Sequence, residues 1–598
     1  MEREKVAREG GWRAAGCYST RRKNGVRGEK VKRGETMGRA SGRQRRKLAG
    51  ILAVTAAATL GATLAVEAWP KPGDDAADAA MVTIRPEAIR AGMRFLADDL
   101  LEGRGTGTRG YDIAAKYMAT EFERAGLQPA GENGTYFQPV PLRQGYVDEA
   151  KTSLSFVRNG KEEKLVFREN YITFADPGRP VTSVEAPVVF VGNGVTAPEL
   201  GYDDYKGIDA KGKIVAQVYS APNFESTLKA HYTSFAVKHA NAAAHGAVGL
   251  ILVHDPEFGK VYPFWEMARD LVFPQFQWLD KQGRPNDYWP ELKGNAVLNL
   301  EATKKLFEGS GHTTEEVYAA LKAGKSKSFD VGVTAKIHNE TKLADVQSPN
   351  IVAKLEGSDP ALKNEYVVYS SHVDHVGIGV AENGDNIYNG ALDNASGSAI
   401  LLELARAFRH MNPAPRRSIL FVAVTGEEAG LLGSDYFAHY PTVAKESMVA
   451  DLNMDEDLML WPLEDVIGFG AEHSTLQGVM ETAAKRMHMS LSQDPMPDEV
   501  IFIRSDQYSF VKQGVPAVFP VPGFTSSDPK IKPMEIFKNW EATRYHHPGD
   551  DMNQPGLLFD EAAKYARFMF LCGYLVANET QRPAWNKGDF FGEHYAKK

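Results

Sequence analysis

Several histidines and carboxylates follow shortly after predicted strands, and others lie in one loop near the end of the chain. So many acids side by side would repel one another unless a cation neutralised them. Imidazole and carboxylate ligands without thiolate suit zinc, or a neighbour such as manganese or cobalt. Five such groups can hold two metal ions if one carboxylate bridges the pair. The residues concerned are His372, Asp374, His375, Asp393, Glu427, Glu428, Asp455, Tyr545, His546, His547 and Asp550.

The adjacent acids Glu427 and Glu428 can divide two tasks between them. A hydrolytic metal site needs one carboxylate that stays off the metal and takes a proton from water. Neighbouring side chains at a strand end point in different directions, so one acid of the pair can bind metal while the other acts as the base. We expect Asp374 to accept a hydrogen bond from the far nitrogen of His372, the usual support for a metal-bound histidine.

A strand–helix alternation that starts near residue 351 must position these side chains. Such alternation predicts a mostly parallel sheet flanked by helices. The segment 418–424 is almost continuously apolar, as expected of a strand buried on both faces. Ligands bind beyond the carboxyl ends of strands in such sheets. We predict strands at 365–370, 418–424 and 447–452, and helices within 86–127 and at 394–409 and 428–436.

Composition excludes several classes of protein. The chain has 598 residues, 43% of them apolar, and its only cysteines are Cys17 and Cys572. Two cysteines cannot build a disulfide-stapled scaffold or a thiolate site for zinc or iron–sulfur clusters. Residues 69–598 carry 53 basic and 71 acidic side chains, a net charge of −18. An acidic body argues against nucleic acid as a partner.

The first 68 residues have the layout of a secretory signal. An uncharged apolar run at 48–66 follows the basic triplet at 45–47 and precedes a cleavage-like site at 66–68. We therefore expect export, to the periplasm or the cell exterior, with residues 1–36 an over-extended reading frame before Met37. The rival interpretation is an uncleaved membrane anchor, since about 20 apolar residues can span a bilayer.

Five motifs follow one another along the chain. They are VYSSHVDHVG (368–377), NGALDNASG (389–397), TGEEAGLLG (425–433), NMD (453–455) and YHHPGD (545–550). In sequence and order they resemble the co-catalytic zinc aminopeptidases related to aminopeptidase Y and glutamate carboxypeptidase II. The resemblance covers about 340–580, and GRGTGT (103–108) extends it to residues 86–140.

This resemblance implies a fold and a ligand set. The fold would be α/β, a mostly parallel mixed sheet flanked by helices, of the phosphorylase/hydrolase-like kind seen in zinc exopeptidases. The chain would bind two zinc ions. His372 and Asp455 would bind one zinc, Glu428 and His546 would bind the other, and Asp393 would bridge them.

The resemblance also implies catalytic roles. Glu427 would be the general base that activates the bridging water and later protonates the leaving amine. Asp374 would orient His372, and Tyr545 would steady the tetrahedral oxyanion.

Other residues near the motifs are harder to assign. Residues 504–506 (RSD) resemble a further family motif near the pocket, but Gln507 stands where a histidine usually follows. His547, beside the expected ligand, also departs from the pattern, so neither residue is given a role. His375 and Asp550 are expected to support the ligands.

Residues 160–335 resemble a protease-associated domain, a β-rich insertion found in many such peptidases. The resemblance rests on GYDDYKGID (201–209), KGKIV (211–215) and AHGAVG (244–249). The aromatic run at 262–278 forms either part of a lid over the site or a core within the insertion. The predicted organisation is a leader and signal at 1–68, a flexible leader at 69–85, a catalytic domain at 86–159 and 340–582, the insertion at 160–335 and a tail at 583–598.

The leading hypothesis is an exported zinc exopeptidase that removes amino-terminal residues from peptides. A carboxylate in its pocket would hold the free α-amino group. A carboxypeptidase for acidic dipeptides would need a basic pocket, and near the motifs only Arg504 and Arg544 are available. A glutaminyl cyclase is disfavoured by the insertion, and a non-catalytic binding protein on this scaffold by the complete ligand set.

Overall fold

A computed structural model describes residues 74–596, and a mixed β-sheet lies at its centre. Four strands at the middle of the sheet, beginning with Ser418–Val424, run parallel to one another. The predicted α/β class is therefore confirmed. Across the sheet the strands are Gln275–Trp278, Phe137–Val147, Ser328–Leu355, Ser418–Val424, Tyr366–His372, Met448–Asn453, Ala517–Pro522, Asp465–Phe469 and Ser490–Ser492.

Helices cover both faces of this sheet. Every residue of Ser418–Val424 is buried, as predicted for a strand covered on both sides. Its side chains alternate between two cores, with Phe421 in one and Leu420 in the other. The first core includes helices Pro86–Leu96, Arg109–Arg124, Ser396–His410, Leu476–Arg486, Pro533–Thr543 and Phe559–Asn578, and the second includes Leu432–His439, Gln507–Val511 and Phe590–Tyr595.

The helix predicted at 428–436 begins later, at Leu432–His439. Gly430 and Leu431 have φ angles of 108° and 61°. Their N–H groups both donate to the carbonyl oxygen of Glu427. This turn separates the two glutamates from the helix and leaves them in the loop after the buried strand.

The predicted flexible leader contains a helix, Asp74–Met81. Ala77 and Ala80 are buried on the first core. Arg486 pairs with Asp74 at 2.9 Å and with Asp78 at 2.7 Å. Where we expected a flexible leader, these residues form a helix whose alanines make an apolar stripe that packs on the domain.

A second mixed sheet forms most of the predicted insertion. Its strands are Lys161–Lys164, Ser153–Arg158, Ser328–Leu355, Val181–Val191, Ile214–Gln217, Gly249–Leu252, Asn295–Leu298 and Tyr171–Ile172. Its helices are Ser226–Thr233, Phe235–Ala244, Phe264–Asp270, Leu300–Phe307 and Thr314–Lys322. The strand Ser328–Leu355 belongs to both sheets, so the predicted boundary at 335–340 falls inside continuous β-structure.

The predicted leader and signal, 1–68, lie outside the described residues. Within 74–596, no helix has the length and apolar character that crossing a bilayer requires.

Candidate metal centre

The candidate site lies at the carboxyl ends of three adjacent parallel strands. Tyr366–His372 ends in His372, Ser418–Val424 leads into the two glutamates, and Met448–Asn453 leads into Asp455. Asp393 lies three residues before the start of helix Ser396–His410. Because parallel strands end at one edge of a sheet, motifs far apart in sequence meet there.

One group, here called the inner cluster, consists of His372, Asp393 and Asp455. Nε2 of His372 lies 2.9 Å from Oδ1 of Asp455 and 3.3 Å from Oδ1 of Asp393. All three residues are buried, and their ligand atoms lie within 4.8 Å of one another.

A second group, the outer cluster, faces the other oxygen of Asp393. Nε2 of His546 lies 3.2 Å from Oδ2 of Asp393 and 2.9 Å from Oε2 of Glu428. His375 joins this group, with Nδ1 at 2.5 Å from Oε1 of Glu428 and 3.7 Å from Oδ2 of Asp393. Asp393 therefore presents one oxygen to each cluster, which is the arrangement a bridging ligand requires.

The donors fit divalent metal ions. Nδ1–H of His372 donates to the backbone carbonyl of Asp374 at 3.2 Å, which turns Nε2 toward the carboxylates. Nε2 of His546 is buried and, among the described residues, has no hydrogen-bond partner despite the nearby carboxylate oxygens. A ring nitrogen that faces carboxylate oxygens without bonding them suits a shared cation of the zinc type.

Comparison with known proteins agrees with this geometry. Residues 350–566 match the model of Peptidase family M28. These residues therefore resemble an M28 peptidase domain, as the sequence motifs predict. All eight side chains singled out above for metal binding or catalysis lie within the matched residues: Asp374, His372, Asp393, Glu427, Glu428, Asp455, Tyr545 and His546.

Individual relatives match different shares of the chain. Aminopeptidase NAALADL1 of Rattus norvegicus is 23% identical over 387 residues, 58% of this chain and 46% of that protein. A probable zinc metalloprotease of Pyrenophora tritici-repentis is 37% identical over 118 residues, 20% of this chain and 26% of that protein. The chain thus spans less than half the length of these curated relatives.

A solved structure supports the fold. The aminopeptidase from Aneurinibacillus sp. strain AM-1 aligns with 85% of this chain and 97% of its own, at a TM-score of 0.50 and 19% identity. At this identity the likeness concerns the fold.

The two adjacent glutamates of the matched region have opposite pKa shifts. Burial, followed by the charges of Asp455 and Glu428, raises the pKa of Glu427 well above its usual value, against the effect of His372. Burial would also raise the pKa of Glu428, but His546 and His375 outweigh it and lower that pKa to about 2. Neighbouring carboxyls with separated pKa values are suited to different roles.

One histidine in each cluster, His372 and His546, has a raised pKa. Burial alone would lower the pKa of His372, but Asp455 and Glu427 raise it well above its usual value. Glu428 and Asp393 do the same for His546. The surrounding carboxylates therefore favour a cation at either histidine, whether a proton or a metal ion.

Asp374 supports the site differently from the prediction. Its carboxylate lies 4.0 Å from Nδ1 of His372, beyond hydrogen-bond distance, and its backbone carbonyl holds that nitrogen instead. The carboxylate accepts hydrogen bonds from the hydroxyl of Thr106 at 3.0 Å and from the N–H of Glu427 at 3.2 Å. Asp374 thus fixes the loop that carries the glutamate pair.

Several supporting residues were missed by sequence reasoning. The Ser505 hydroxyl donates to Oδ2 of Asp455 at 2.6 Å. The buried guanidinium of Arg104 donates to four backbone carbonyls around the site, including those of Val373 and Asn389. Asp550, in contrast, was expected to support the ligands, and it accepts from the N–H groups of Leu392 and Asp393. The motifs at 103–108 and 504–506 contain two of these residues, but resemblance alone assigned them no role.

Tyr545 and the two unassigned residues also have definite positions. Tyr545 stacks on His546, and its hydroxyl accepts a hydrogen bond from Arg504 at 3.2 Å. His547 points away from the clusters, with Nδ1 at 2.8 Å from Oε1 of Glu382. Gln507 is buried and donates to the carbonyl of Phe502 at 2.8 Å.

Two cavities reach the site. A largely apolar pocket beside the inner cluster is lined by Asp393, Glu427, Asp455, Glu456 and Tyr545 and by aliphatic and aromatic side chains. A groove of about 1750 Å³ runs from the outer cluster toward the insertion, and the predicted aromatic run contributes Tyr262, Trp265, Phe273 and Phe276 to its walls. Phe276 also packs in a core cluster with Leu142 of the central sheet and Leu432 of helix Leu432–His439, which lies outside the insertion.

Proposed function

We propose that this protein is an exported zinc aminopeptidase that hydrolyses the first peptide bond of peptides. The observation that carries the proposal is Asp393, whose two oxygens face two separate histidine–carboxylate groups beside the Glu427 carboxylate. The M28 match, and relatives named as an aminopeptidase and a zinc metalloprotease, support it.

The metal ligands would be those of the two clusters. His372 and Asp455 would hold one zinc, Glu428 and His546 the other, with Asp393 shared. His375 is a further candidate for the outer ion, because its Nδ1 faces the same carboxylates. When bound, zinc supplies Lewis-acid polarisation of a carbonyl and lowers the pKa of water.

Glu427 would transfer the protons. Its carboxylate lies 4.0 Å from Nε2 of His372, and it lines the pocket without occupying the shortest contacts of either cluster. Its raised pKa suits a base that accepts a proton from the attacking water and returns it to the leaving amine.

Tyr545 would stabilise the oxyanion. Arg504 donates to its hydroxyl oxygen, so the hydroxyl hydrogen is left for another acceptor. Burial raises the pKa of Tyr545 well above its usual value, so the phenol keeps its proton, and Arg504 opposes part of that rise. An oxygen that gains negative charge in the transition state is the acceptor that benefits most.

The alternative of a carboxypeptidase is less compatible with the pocket. Beyond the candidate ligands and Glu427, the pocket wall contains Glu456, Glu499 and Glu541 against one cation, Arg504. Three carboxylates would repel a substrate's terminal carboxylate. The same lining is compatible with a free ammonium group.

Two further parts of the proposal concern the rest of the chain. We infer that the β-rich insertion is a protease-associated domain, supported by its motifs and by the groove that it forms with the outer cluster. We infer export from the signal-like leader, supported by its basic, apolar and cleavage-like segments.

The test is hydrolysis of a panel of aminoacyl-anilides beside their amino-blocked versions. The free-amino compounds should be cleaved, the blocked ones should not, and chelation should abolish the activity until zinc is restored. Comparable cleavage of the blocked compounds, or full activity in a metal-free preparation, contradicts the proposal.

A further inference from the structure

One carboxylate of the pocket has no assigned task. Glu456 directly follows Asp455 and lines the pocket together with Asp393 and Glu427. Within 453–457, Glu456 is half-buried and the other four residues are buried. A group at this position shares the pocket with the proposed bridging ligand and the proposed base.

The backbone at Glu456 takes an uncommon conformation. Its φ angle is 45°, in the left-handed region that a residue with a long side chain rarely adopts. Its carbonyl accepts a hydrogen bond from Leu458 at 2.7 Å, which closes a tight turn. Such outliers persist where the surrounding structure enforces them, and they concentrate at functional sites.

The Glu456 carboxylate also lacks a partner. Among residues 74–596, no side chain or backbone group hydrogen-bonds to it or pairs with it within ion-pair distance. The nearby cation Arg504 bonds to Tyr545 instead. By contrast, Asp455 accepts a hydrogen bond from Ser505, and Glu428 bonds to His375 and lies 2.9 Å from Nε2 of His546. A partly buried carboxylate beside a reaction site therefore has its hydrogen-bonding capacity free for a ligand.

The other two acids of the pocket have different surroundings. Glu499 and Glu541 interact with each other and with the cations Arg504 and Lys538. Glu456 interacts with Arg504 as well, but also with Asp393 and Asp455. Of the three acids, Glu456 is the one that directly follows a candidate ligand in the sequence.

We infer that Glu456 binds the protonated α-amino group of the substrate's first residue. This inference rests on the proposed aminopeptidase function and names the residue that would make the enzyme an exopeptidase. An ammonium offers three donors to the free carboxylate, and the charge-assisted bond is strong where little water remains. The first residue's side chain would then occupy the apolar wall, formed by Leu458, Phe469, Phe519, Phe524, Phe537 and Trp540.

The experiment compares two substrates that differ only in the amino group. They are L-leucine p-nitroanilide and 4-methylpentanoyl p-nitroanilide. In Glu456→Gln we expect kcat/KM for the leucine compound to fall about 10- to 100-fold, mostly through KM, because a charge-assisted bond present in both ground and transition states is lost. The slow hydrolysis of the compound without the amine should be unchanged. Glu456→Asp should restore part of the loss.

A second measurement uses binding alone. The amine 3-methylbutan-1-amine has the ammonium and side chain of leucine without the reacting carbonyl. It should compete with the leucine substrate in the unsubstituted protein, and its inhibition constant should rise at least tenfold in Glu456→Gln. Glu499→Gln makes the same chemical change in the same pocket and should keep the ratio between the two substrates. Zinc content and thermal unfolding of each variant identify any general damage.

The outcomes separate this inference from the proposed function. An equal loss on both substrates in Glu456→Gln, with zinc content intact, overturns the inference and leaves the aminopeptidase proposal standing. A loss confined to lysine and arginine anilides overturns it as well, because Glu456 would then recognise the side chain. If the unsubstituted, zinc-loaded protein cleaves neither compound nor any other free-amino anilide, the proposed function fails and the inference fails with it.

Discussion

The two clusters of the candidate centre are built from different kinds of structure. In the inner cluster, the His372 side chain is 1% exposed and follows directly from a central strand. In the outer cluster, the His546 side chain is 30% exposed and comes from the loop between helices Pro533–Thr543 and Phe559–Asn578. One cluster is therefore positioned by the sheet, and the other by a loop with its own supports.

Those supports connect the outer cluster to the insertion. His547, next to His546, pairs with Glu382 at 2.8 Å and lies 3.8 Å from Glu266 of helix Phe264–Asp270. The loop of the outer histidine thus contacts Glu382 and a helix of the insertion, whereas the inner histidine follows directly from its own strand. The comparison shows that equal ligand types in one site can be positioned by different kinds of structure.

The largest expected effect concerns Glu427, which faces the inner cluster without being assigned to either metal. Glu427→Gln should lower kcat by about 100- to 10,000-fold, since a general base is lost. Zinc content should be unchanged. Glu428→Gln is the matched control, because the same change at the next residue should reduce zinc content of the outer cluster. Steady-state kinetics and elemental analysis of both variants provide the measurement, and unchanged turnover in Glu427→Gln would refute its role as the base.

The second prediction compares the two histidines directly. His372→Ala should lower the free energy of unfolding by about 3 kcal/mol, because Asp455 is left buried without its partner. His546→Ala should lower it by about 1 kcal/mol or less, because water can reach its half-exposed position. Urea unfolding of the two metal-free variants makes the comparison. Equal losses would mean that the sheet and the loop hold their histidines equally firmly.

The third prediction concerns a support of the inner cluster. Ser505→Ala removes the hydrogen bond to Asp455 and should weaken zinc binding about 10- to 100-fold, as loss of an outer partner of a ligand does. Ser509→Ala is the control, since this buried serine bonds to Ser434 and to none of the candidate ligands. Competition with a chelator gives the affinities. The same affinity in both variants would remove Ser505 from the metal site.

The parts of the molecule that could be predicted are those with a strong local pattern. Residues 418–424 are apolar at every position but the first, and only a strand covered on both faces needs that pattern. The candidate ligands follow from motifs at the ends of such strands, and the structure brings them within a few ångströms of one another.

The parts of the fold and of the site that could not be predicted depend on contacts between segments that are distant in sequence. Nothing local to residue 505 indicates that its hydroxyl meets Asp455, 50 residues away in sequence. Asp374 was assigned a partner from its spacing to His372, but Thr106 and the N–H of Glu427 compete for its carboxylate and determine its orientation. The helix Asp74–Met81 forms because Ala77 and Ala80 find a packing surface, which composition alone does not reveal.

One buried histidine among the described residues lies outside the metal centre and has no carboxylate partner, so it can be compared with the histidines of the two clusters. His231, in helix Ser226–Thr233 of the insertion, has its Nδ1 in a hydrogen bond with the Tyr508 hydroxyl at 2.8 Å. Burial, followed by the positive charges of His594 and Lys512, lowers its pKa from 6.5 to about 3. In the two metal clusters carboxylates reverse this effect of burial. His231 therefore stays neutral in the native state at a pH where the unfolded chain takes up a proton.

The sign of the pH dependence follows from that difference. Its contribution to stability is present above pH 6.5 and is lost as the pH falls toward 3, by at most about 1.4 kcal/mol per pH unit for one group. His231→Gln keeps an acceptor for Tyr508 but does not titrate, so its stability should fall less steeply than that of the unsubstituted protein between pH 6.5 and 5. For His488→Gln we expect no change in the pH dependence of stability, because His488 is exposed. Urea unfolding at several pH values across this range gives the slope of the free energy of unfolding against pH for each protein. The unsubstituted protein and the two variants share the titrating groups of the metal centre, so the contribution of those groups cancels in the comparison. Parallel slopes for all three would mean that the His231 ring is protonated in the native state, and that burial without carboxylates does not keep a histidine of this protein neutral.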